Sequence, residues 1–453
     1  MGGRARETRV AVVGFVAMVF SVVVLIHYYL WRRLVRATTL PGRTRRVLTW
    51  LLIAMGLLVP VTMIGSRAGW GHFLAWPGFF WLALMFYLLV FLVVLEIPRA
   101  LALLAVRRME RRAAARRSDV RVAEPVPSGG VAVSAAASPA AAASAGAETE
   151  AQTGAEAGTG AGTGTGAGTG IGAGAGIGRR LFIARTAATV AGVGALVTVG
   201  SGVRTALGDP VIERVGVTLP RLDPRLSGLR FAVVSDIHLG PLTGVKHTER
   251  IVRMINELEA DVVAVVGDLV DGTVAELGRL ARPLANLESR YGSYFVTGNH
   301  EYYTANGPGE WIEELRALGI RPLQNERVEI GHAGAVLDLA GVNDVAGGTV
   351  DAGPDFERAL GGRDRSRSTV LLAHQPIQAR EAAGYGVDLQ LSGHTHGGQM
   401  VPFNLVVPVQ QPVVAGLGEV DGTQVYVTRG AGFWGPPVRV GAPPEITLLE
   451  LRA

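Results

Sequence analysis

Three long apolar runs constrain this chain more than any other feature. "VAVVGFVAMVFSVVVLIHYYL" (Val10 to Leu30), "VLTWLLIAMGLLVPVTMIG" (Val47 to Gly65) and a longer run from about Phe73 to Val106 lie in the first quarter of the sequence. Each reaches the ~20 residues an α-helix needs to cross a bilayer. A fourth run, "LFIARTAATVAGVGALVTVGSGV" (Leu181 to Val203), is weaker because it is rich in Ala and Gly and contains Arg185. The 453 residues, 49% of them hydrophobic, therefore read as a membrane region followed by at least one further domain.

Arginine placement sets the expected orientation. The stretch 31–46 holds Arg32, Arg33, Arg36, Arg43, Arg45 and Arg46, the 65–73 stretch holds only Arg67, and Arg107, Arg108, Arg111, Arg112, Arg116 and Arg117 follow the third run. Basic segments stay in the cytoplasm, so the N-terminus is expected outside, against the smaller pull of Arg4, Arg6 and Arg9. The fourth helix then starts inside at Arg179 and Arg180 and carries the rest of the chain out. "RRLFIA" also resembles a twin-arginine export signal, and both readings give the same location. No small-x-small cleavage pattern follows Val203, so the segment is expected to remain as an anchor.

Residues 122–178 are dominated by Ala, Gly, Ser and Thr, with four glutamates and no basic residue. Such a stretch lacks the apolar side chains to offset its ordering entropy and reads as a flexible linker. Charge divides the chain as well: 25 basic and 11 acidic residues in 1–228, against 18 and 27 in 229–453. An acidic C-terminal half argues against nucleic-acid binding, which needs basic surface to displace counterions, and suits a unit that gathers cations. Without cysteine, any metal there must use nitrogen and oxygen ligands. The single lysine, Lys246, has no bearing on mechanism.

The C-terminal part alternates strand and helix. "LRFAVVSDIHLG", "DVVAVVGDLVDG", "GSYFVTGNHEYY", "STVLLAHQP" and "VDLQLSGHTHGG" are each an apolar strand running into a polar turn. "HTERIVRMINELEA", "AELGRLARPLANLES" and a segment around Trp311 to Leu318 have helical spacing. The polar residues stand where α/β folds place their sites, at strand C-termini: Asp236 and His238, Asp268, Asn299 and His300, His374, His394 and His396. Five of the nine histidines fall in these turns. Helix capping accounts for an aspartate or asparagine but has no use for histidine. Mixed imidazole, carboxylate and amide donors suit Mn, Fe, Zn or Co rather than Mg alone.

"SDIHLG", "GDLVDG", "GNHE", "AHQP" and "GHTHGG", in this order, resemble the five sequence blocks of the calcineurin-like metallophosphoesterase superfamily. "GHTHGGQ" and "RGAGFWGPPVR" are similar to its membrane-associated bacterial branch. The resemblance covers about residues 227–453. It implies a two-sheet α/β/β/α sandwich binding two divalent metal ions that share Asp268, one completed by Asp236, His238 and His396, the other by Asn299, His374 and His394. It further implies hydroxide attack on a phosphate ester, with Asp268 and His300 as catalytic residues and His300 protonating the leaving oxygen or stabilising the transition state.

The expected layout is 1–110 with three transmembrane helices, 111–178 a basic then low-complexity linker, 179–206 a fourth transmembrane helix or signal anchor, and 223–453 the metallophosphoesterase domain. The expected activity is phosphodiester or phosphomonoester hydrolysis at the extracytoplasmic membrane face on an envelope-related substrate; the alternative is a non-catalytic sensor of phosphorylated ligands. Asp271, Glu301 and Asp388 are candidates to orient histidines, and Arg429, Trp434 and Arg439 to line the substrate cleft. His247 and His332 are read as surface histidines.

Overall fold

The computed structural model describes residues 2–67, 72–122 and 171–453. These contain four helices long and apolar enough to cross a membrane: α1 (Gly2–Leu30), α2 (Arg43–Arg67), α3 (Ala75–Val122) and α4 (Ile171–Leu207). The chain divides into two compact units, residues 1–94 with 188–453 and residues 95–187. Ion pairs Arg99–Glu96 at 2.7 Å and Arg180–Glu110 at 2.9 Å lie within the second. Residues 111–122 of the expected linker instead continue α3, and its residues 123–170 lie outside the described residues. Its last residues, 171–178, instead form the start of α4, because a helix propagates at little cost once the apolar segment after it has nucleated.

The remainder is built on twelve strands in two sheets. In chain order these elements are β1 (Val211–Thr218), β2 (Arg230–Val234), α5 (Val245–Asn256), β3 (Val262–Val266), α6 (Val274–Ala281), β4 (Ser293–Val296), α7 (Gly309–Ala317), β5 (Arg321–Pro322), β6 (Glu326–His332), β7 (Ala335–Gly341), α8 (Phe356–Leu360), β8 (Thr369–Leu372), α9 (Ala379–Gly384), β9 (Leu389–Ser392), β10 (Gly416–Val420), β11 (Thr423–Val427) and β12 (Glu445–Arg452). The first sheet has the order β1-β12-β2-β3-β4-β5 and the second β10-β11-β9-β8-β7-β6. β2, β3 and β4 run parallel to one another, as do β7, β8, β9 and β11.

Both faces of the central strands are covered, which is why they read as unbroken apolar runs rather than alternating ones. Phe231, Val233, Ala264 and Val296 of the first sheet share a core with Leu339, Val370, Leu372 and Leu391 of the second. The alternate residues Ala232, Val234, Val263, Val265 and Phe295 face Ile251 and Ile255 of α5, Leu277 of α6, and Trp311 and Leu315 of α7. Ala340 and Leu371 pack against Phe356 of α8 and Ala382 of α9. The result is the expected α/β/β/α sandwich. One expected helix is shorter: α6 ends at Ala281 and gives way to a 3-10 turn, Arg282–Asn286, because Pro283 has no amide hydrogen to continue it.

The sandwich is fastened to the apolar helices of its own unit. Arg439 N donates to the carbonyl of Gly202 in α4 at 3.0 Å, and Tyr87 of α3 donates its hydroxyl to the carbonyl of Val401 at 3.0 Å.

Phe231 is fully buried between the sheets. Phe231→Ala is expected to cost about 3–5 kcal/mol, read as a lower urea midpoint for the detergent-solubilised chain by near-ultraviolet circular dichroism. A loss under about 1 kcal/mol would contradict the inter-sheet packing.

Candidate metal centre

Five strands, three of the first sheet and two of the second, end at one place. Asp236 and His238 follow β2, Asp268 follows β3, Asn299 and His300 follow β4, His374 follows β8, and His394 and His396 follow β9. Donor atoms converge in three overlapping groups: Asp236, His238 and His396; His238, Asp268 and His300; and Asp268, His374 and His394. His396 Nε2 lies 3.3 Å from Asp236 Oδ1 and 3.1 Å from His238 Nε2, and His374 Nε2 lies 3.2 Å from Asp268 Oδ2.

Reaching this arrangement strains the backbone. Asp236 (φ 53), His238 (φ 49), Asp268 (φ 50), His394 (φ 71) and His396 (φ 52) all adopt left-handed conformations, which cost a non-glycine residue about 1–3 kcal/mol each and cluster at functional sites. Glycines make room: a Cβ on Gly298 would collide with the backbone nitrogen and carboxylate of Asp268, and one on Gly393 with the Asp236 carboxylate.

Hydrogen bonds to the far sides of the rings fix their direction. His238 Nδ1 is 2.9 Å and His300 Nδ1 2.6 Å from the same oxygen, Asp271 Oδ1. His374 Nδ1 is 2.9 Å from the Val266 carbonyl. Arg439 Nη2 is 3.0 Å from His396 Nδ1. The carboxylate and carbonyl acceptors hold their rings as metal-binding histidines are held, whereas Arg439 can only donate, so His396 accepts at Nδ1.

The donors fit divalent cations. Asn299 Oδ1 is buried without a hydrogen-bond partner, a costly state for a polar atom unless something else engages it. Burial pushes His394 down to about 3, with His374 adding to the effect. Burial and then the Arg439 guanidinium hold His396 well below its usual value. Both imidazoles are thereby held neutral, as ligation requires, whereas for His374 burial is outweighed by Asp268, which raises it well above its usual value. Burial alone would raise Asp268, but His374 and then His300 keep its carboxyl well below the carboxylate range. Burial opposes charge on His300, yet Asp268 and Asp271 lift it to about 9.

Of the three carboxylates expected to orient histidines, only Asp271 does so. Glu301 accepts backbone N–H groups from Gly298 (2.6 Å), Leu269 (2.8 Å) and Asp268 (3.1 Å), so it shapes the loops rather than the rings. Burial, then Asp268, raises Glu301 to about 7. Asp388 pairs with Arg221 at 2.8 Å and accepts the Thr369 amide, also at 2.8 Å.

The three cleft candidates also separate. Trp434 is 48% exposed, its ring 6.3 Å from that of His300. Arg429 pairs with Glu213 at 2.5 Å and Glu445 at 2.8 Å. Arg439 is buried and directs its guanidinium to the carbonyls of Gly432 and His396 besides the His396 ring, which supports a positioning role. His247, read as a surface residue, is half-buried against Arg250, 3.1 Å away. His332 is half-buried against the Tyr291 hydroxyl, 2.9 Å away.

Residues 229–398 match the calcineurin-like phosphoesterase domain. A bovine protein named "Transmembrane protein with metallophosphoesterase domain" is 42% identical over 264 residues, 56% of this chain and 59% of the relative. A zebrafish protein of the same name is 40% identical over 260 residues, 55% and 59% of the respective chains. An Aquifex aeolicus metallophosphoesterase is 33% identical over 246 residues, 53% of this chain and 91% of the relative. The chain belongs to the calcineurin-like phosphoesterase family. It spans 59% of the length of the two vertebrate relatives, and its four apolar helices associate it with a membrane.

Asp271→Asn is expected to weaken Mn²⁺ binding to the metal-stripped chain by about 10–100-fold, measured by titration calorimetry, whereas Asp388→Asn leaves it unchanged. Equal affinities in the two variants would remove Asp271 from the site.

Proposed function

We propose that this protein is a dinuclear-metal phosphoesterase whose active domain stands at the extracytoplasmic face of a multi-pass membrane region. The observation that carries the reading is the convergence of Asp236, His238 and His396 in one donor group and Asp268, His374 and His394 in another, bridged by a third of His238, Asp268 and His300, with Asp268 3.9 Å from His238. Asp236, His238, Asp268 and His396 would hold one ion, and Asp268, Asn299, His374 and His394 the other, with Mn, Fe, Zn or Co as the fitting metals. Divalent cations there would supply Lewis-acid activation of water near neutral pH and neutralise charge on the phosphoryl oxygens.

The chain's own groups account for the rest of the chemistry. Asp268 Oδ1 accepts the His300 amide at 2.8 Å, which fixes the loop carrying His300. Asp271 holds His300 Nδ1, leaving Nε2 to deliver a proton to the departing oxygen. A residue in that role contributes typically ~10²–10⁴-fold in rate. An intact His300–Asp271 pair favours turnover over the sensing alternative. The edge-on approach of Trp434 to His300 supports its part in the substrate cleft, whereas Arg429 is taken up by Glu213 and Glu445. Envelope substrates fit the location, and the arginine-rich stretches 31–46 and 107–117 favour the stated orientation.

The detergent-solubilised full chain, stripped of metal and resupplied with Mn²⁺, Zn²⁺ or Mg²⁺, is expected to hydrolyse bis-p-nitrophenyl phosphate or p-nitrophenyl phosphate. Asp268→Asn should abolish the activity and His300→Ala should reduce kcat by about 10²–10⁴-fold. Turnover by the stripped chain, or undiminished turnover in Asp268→Asn, would sink the metal-dependent reading. The absence of cysteine provides the topology test. On intact cells, Val350→Cys should react with an impermeant maleimide and Thr44→Cys should not; the reverse pattern would invert the orientation.

A further inference from the structure

The segment that continues from the last histidine of the site carries no charge. Between Gly397 and Gly418 there is no Asp, Glu, Lys, Arg or His. It passes through two 3-10 turns, Phe403–Leu405 and Val407–Val409, that push apolar side chains into the open: Phe403 is 50% exposed, Leu405 74%, Val406 53% and Val409 87%. Single exposed apolar residues are ordinary on any protein surface. Here half of the domain's exposed large apolar side chains fall between Val401 and Leu417, and a concentrated patch of this kind marks a surface that something apolar covers.

The base of the segment indicates what covers it. The Val401 carbonyl accepts the Tyr87 hydroxyl, and Tyr87 lies inside the apolar span His72–Arg112 of α3. Gly435 approaches Phe79 of the same helix so closely that a Cβ on the glycine would touch its ring at 3.6 Å. Val93 and Val94 of α3 are themselves exposed, as lipid-facing side chains of a spanning helix are. The loop therefore continues an apolar surface that already belongs to a membrane helix, with no charge to desolvate on entering the interface.

The same segment is wired to the site. Gln399 N donates to the His396 carbonyl at 3.0 Å. The Gln399 side chain donates to the Trp434 carbonyl at 2.9 Å and accepts the Trp434 amide at 3.0 Å. Trp434, half-exposed, stands edge-on to His300, and tryptophan is the side chain favoured at a membrane–water boundary. An unbroken series of contacts thus runs from the exposed loop to the proton donor.

We infer that residues 401–409 dip into the bilayer interface and turn the site toward it, so that the substrate is a phosphate ester of a lipid whose apolar chains stay in the membrane. The substrate half of this inference rests on the phosphoesterase reading above; the membrane half does not. Two measurements separate them.

Because the chain has no cysteine, Leu405→Cys, Val409→Cys and the control Val350→Cys each take a single bimane label. In the full chain reconstituted into phosphatidylcholine–phosphatidylglycerol vesicles with brominated acyl chains, the labels at 405 and 409 should be quenched severalfold more than the label at 350. Equal quenching at all three would overturn membrane contact and leave a protein partner as the cover.

The second measurement compares hexadecyl p-nitrophenyl phosphate in vesicles with ethyl p-nitrophenyl phosphate in solution, in the native chain and in the double variant Leu405→Asp/Val409→Asp. The native chain should prefer the hexadecyl ester, and the variant should lose about tenfold or more of kcat/KM on it while turning over the ethyl ester normally. No preference in the native chain overturns the lipid substrate. Quenching at 405 and 409 without hydrolysis of either diester leaves the membrane surface standing and removes the lipid diester as substrate, while failure on p-nitrophenyl phosphate as well removes the phosphoesterase reading.

Discussion

Glu301 holds the loops of β3 and β4 in place, and the arrangement of the site depends on it. Its buried carboxylate collects the amides of Gly298, Asp268 and Leu269, groups that a loop bent out of the sheet would otherwise leave unpaired in a dry interior. With those amides satisfied, Asp268 can remain in a left-handed conformation. Asp236 performs the corresponding service across the sheets, accepting the His394 amide at 3.0 Å. The two carboxylates thus convert local strain into a stable crossing point between β2 and β3 on one side and β8 and β9 on the other.

That crossing point explains why so much of the site could be read before any fold was known. Parallel strands covered on both faces are uniformly apolar, so the first polar residue after each stands out: Asp236 after "FAVVS", Asp268 after "VVAVVG", His374 after "VLLA". What the sequence left ambiguous were residues whose neighbours decide their role. Glu301 and Asp388 look like equivalent loop carboxylates beside motifs, yet one faces backbone amides and the other an arginine 167 positions away. By sequence Arg439 is a cleft candidate, lying in the glycine- and proline-rich "RGAGFWGPPVR". Its burial follows from long-range packing of that turn against His396 and α4, which no local pattern encodes. The pairing of β1 with β12, the first and last strands of the sandwich, is invisible for the same reason.

The charge division along the chain fits this division of labour. The basic first half holds the segments that flank the apolar helices, while the acidic second half holds the Asp and His cluster. Histidine and aspartate at the site are crowded enough to reset one another's protonation, with His394 and His396 forced neutral while His300 is held charged. Rings of one residue type are thereby set in opposite protonation states by the neighbours each one meets.

The joint between α4 and the sandwich is tight. Gly202 of α4 has no side chain because the methyl groups of Val438 and Val440 occupy the space where one would stand, and the Arg439 between those valines bonds to its carbonyl. Arg439 is also the residue whose guanidinium steers His396. The anchor therefore does more than keep the domain nearby. A domain on a slack leash turns freely about its helix, whereas one keyed in at a glycine keeps a fixed heading relative to that helix.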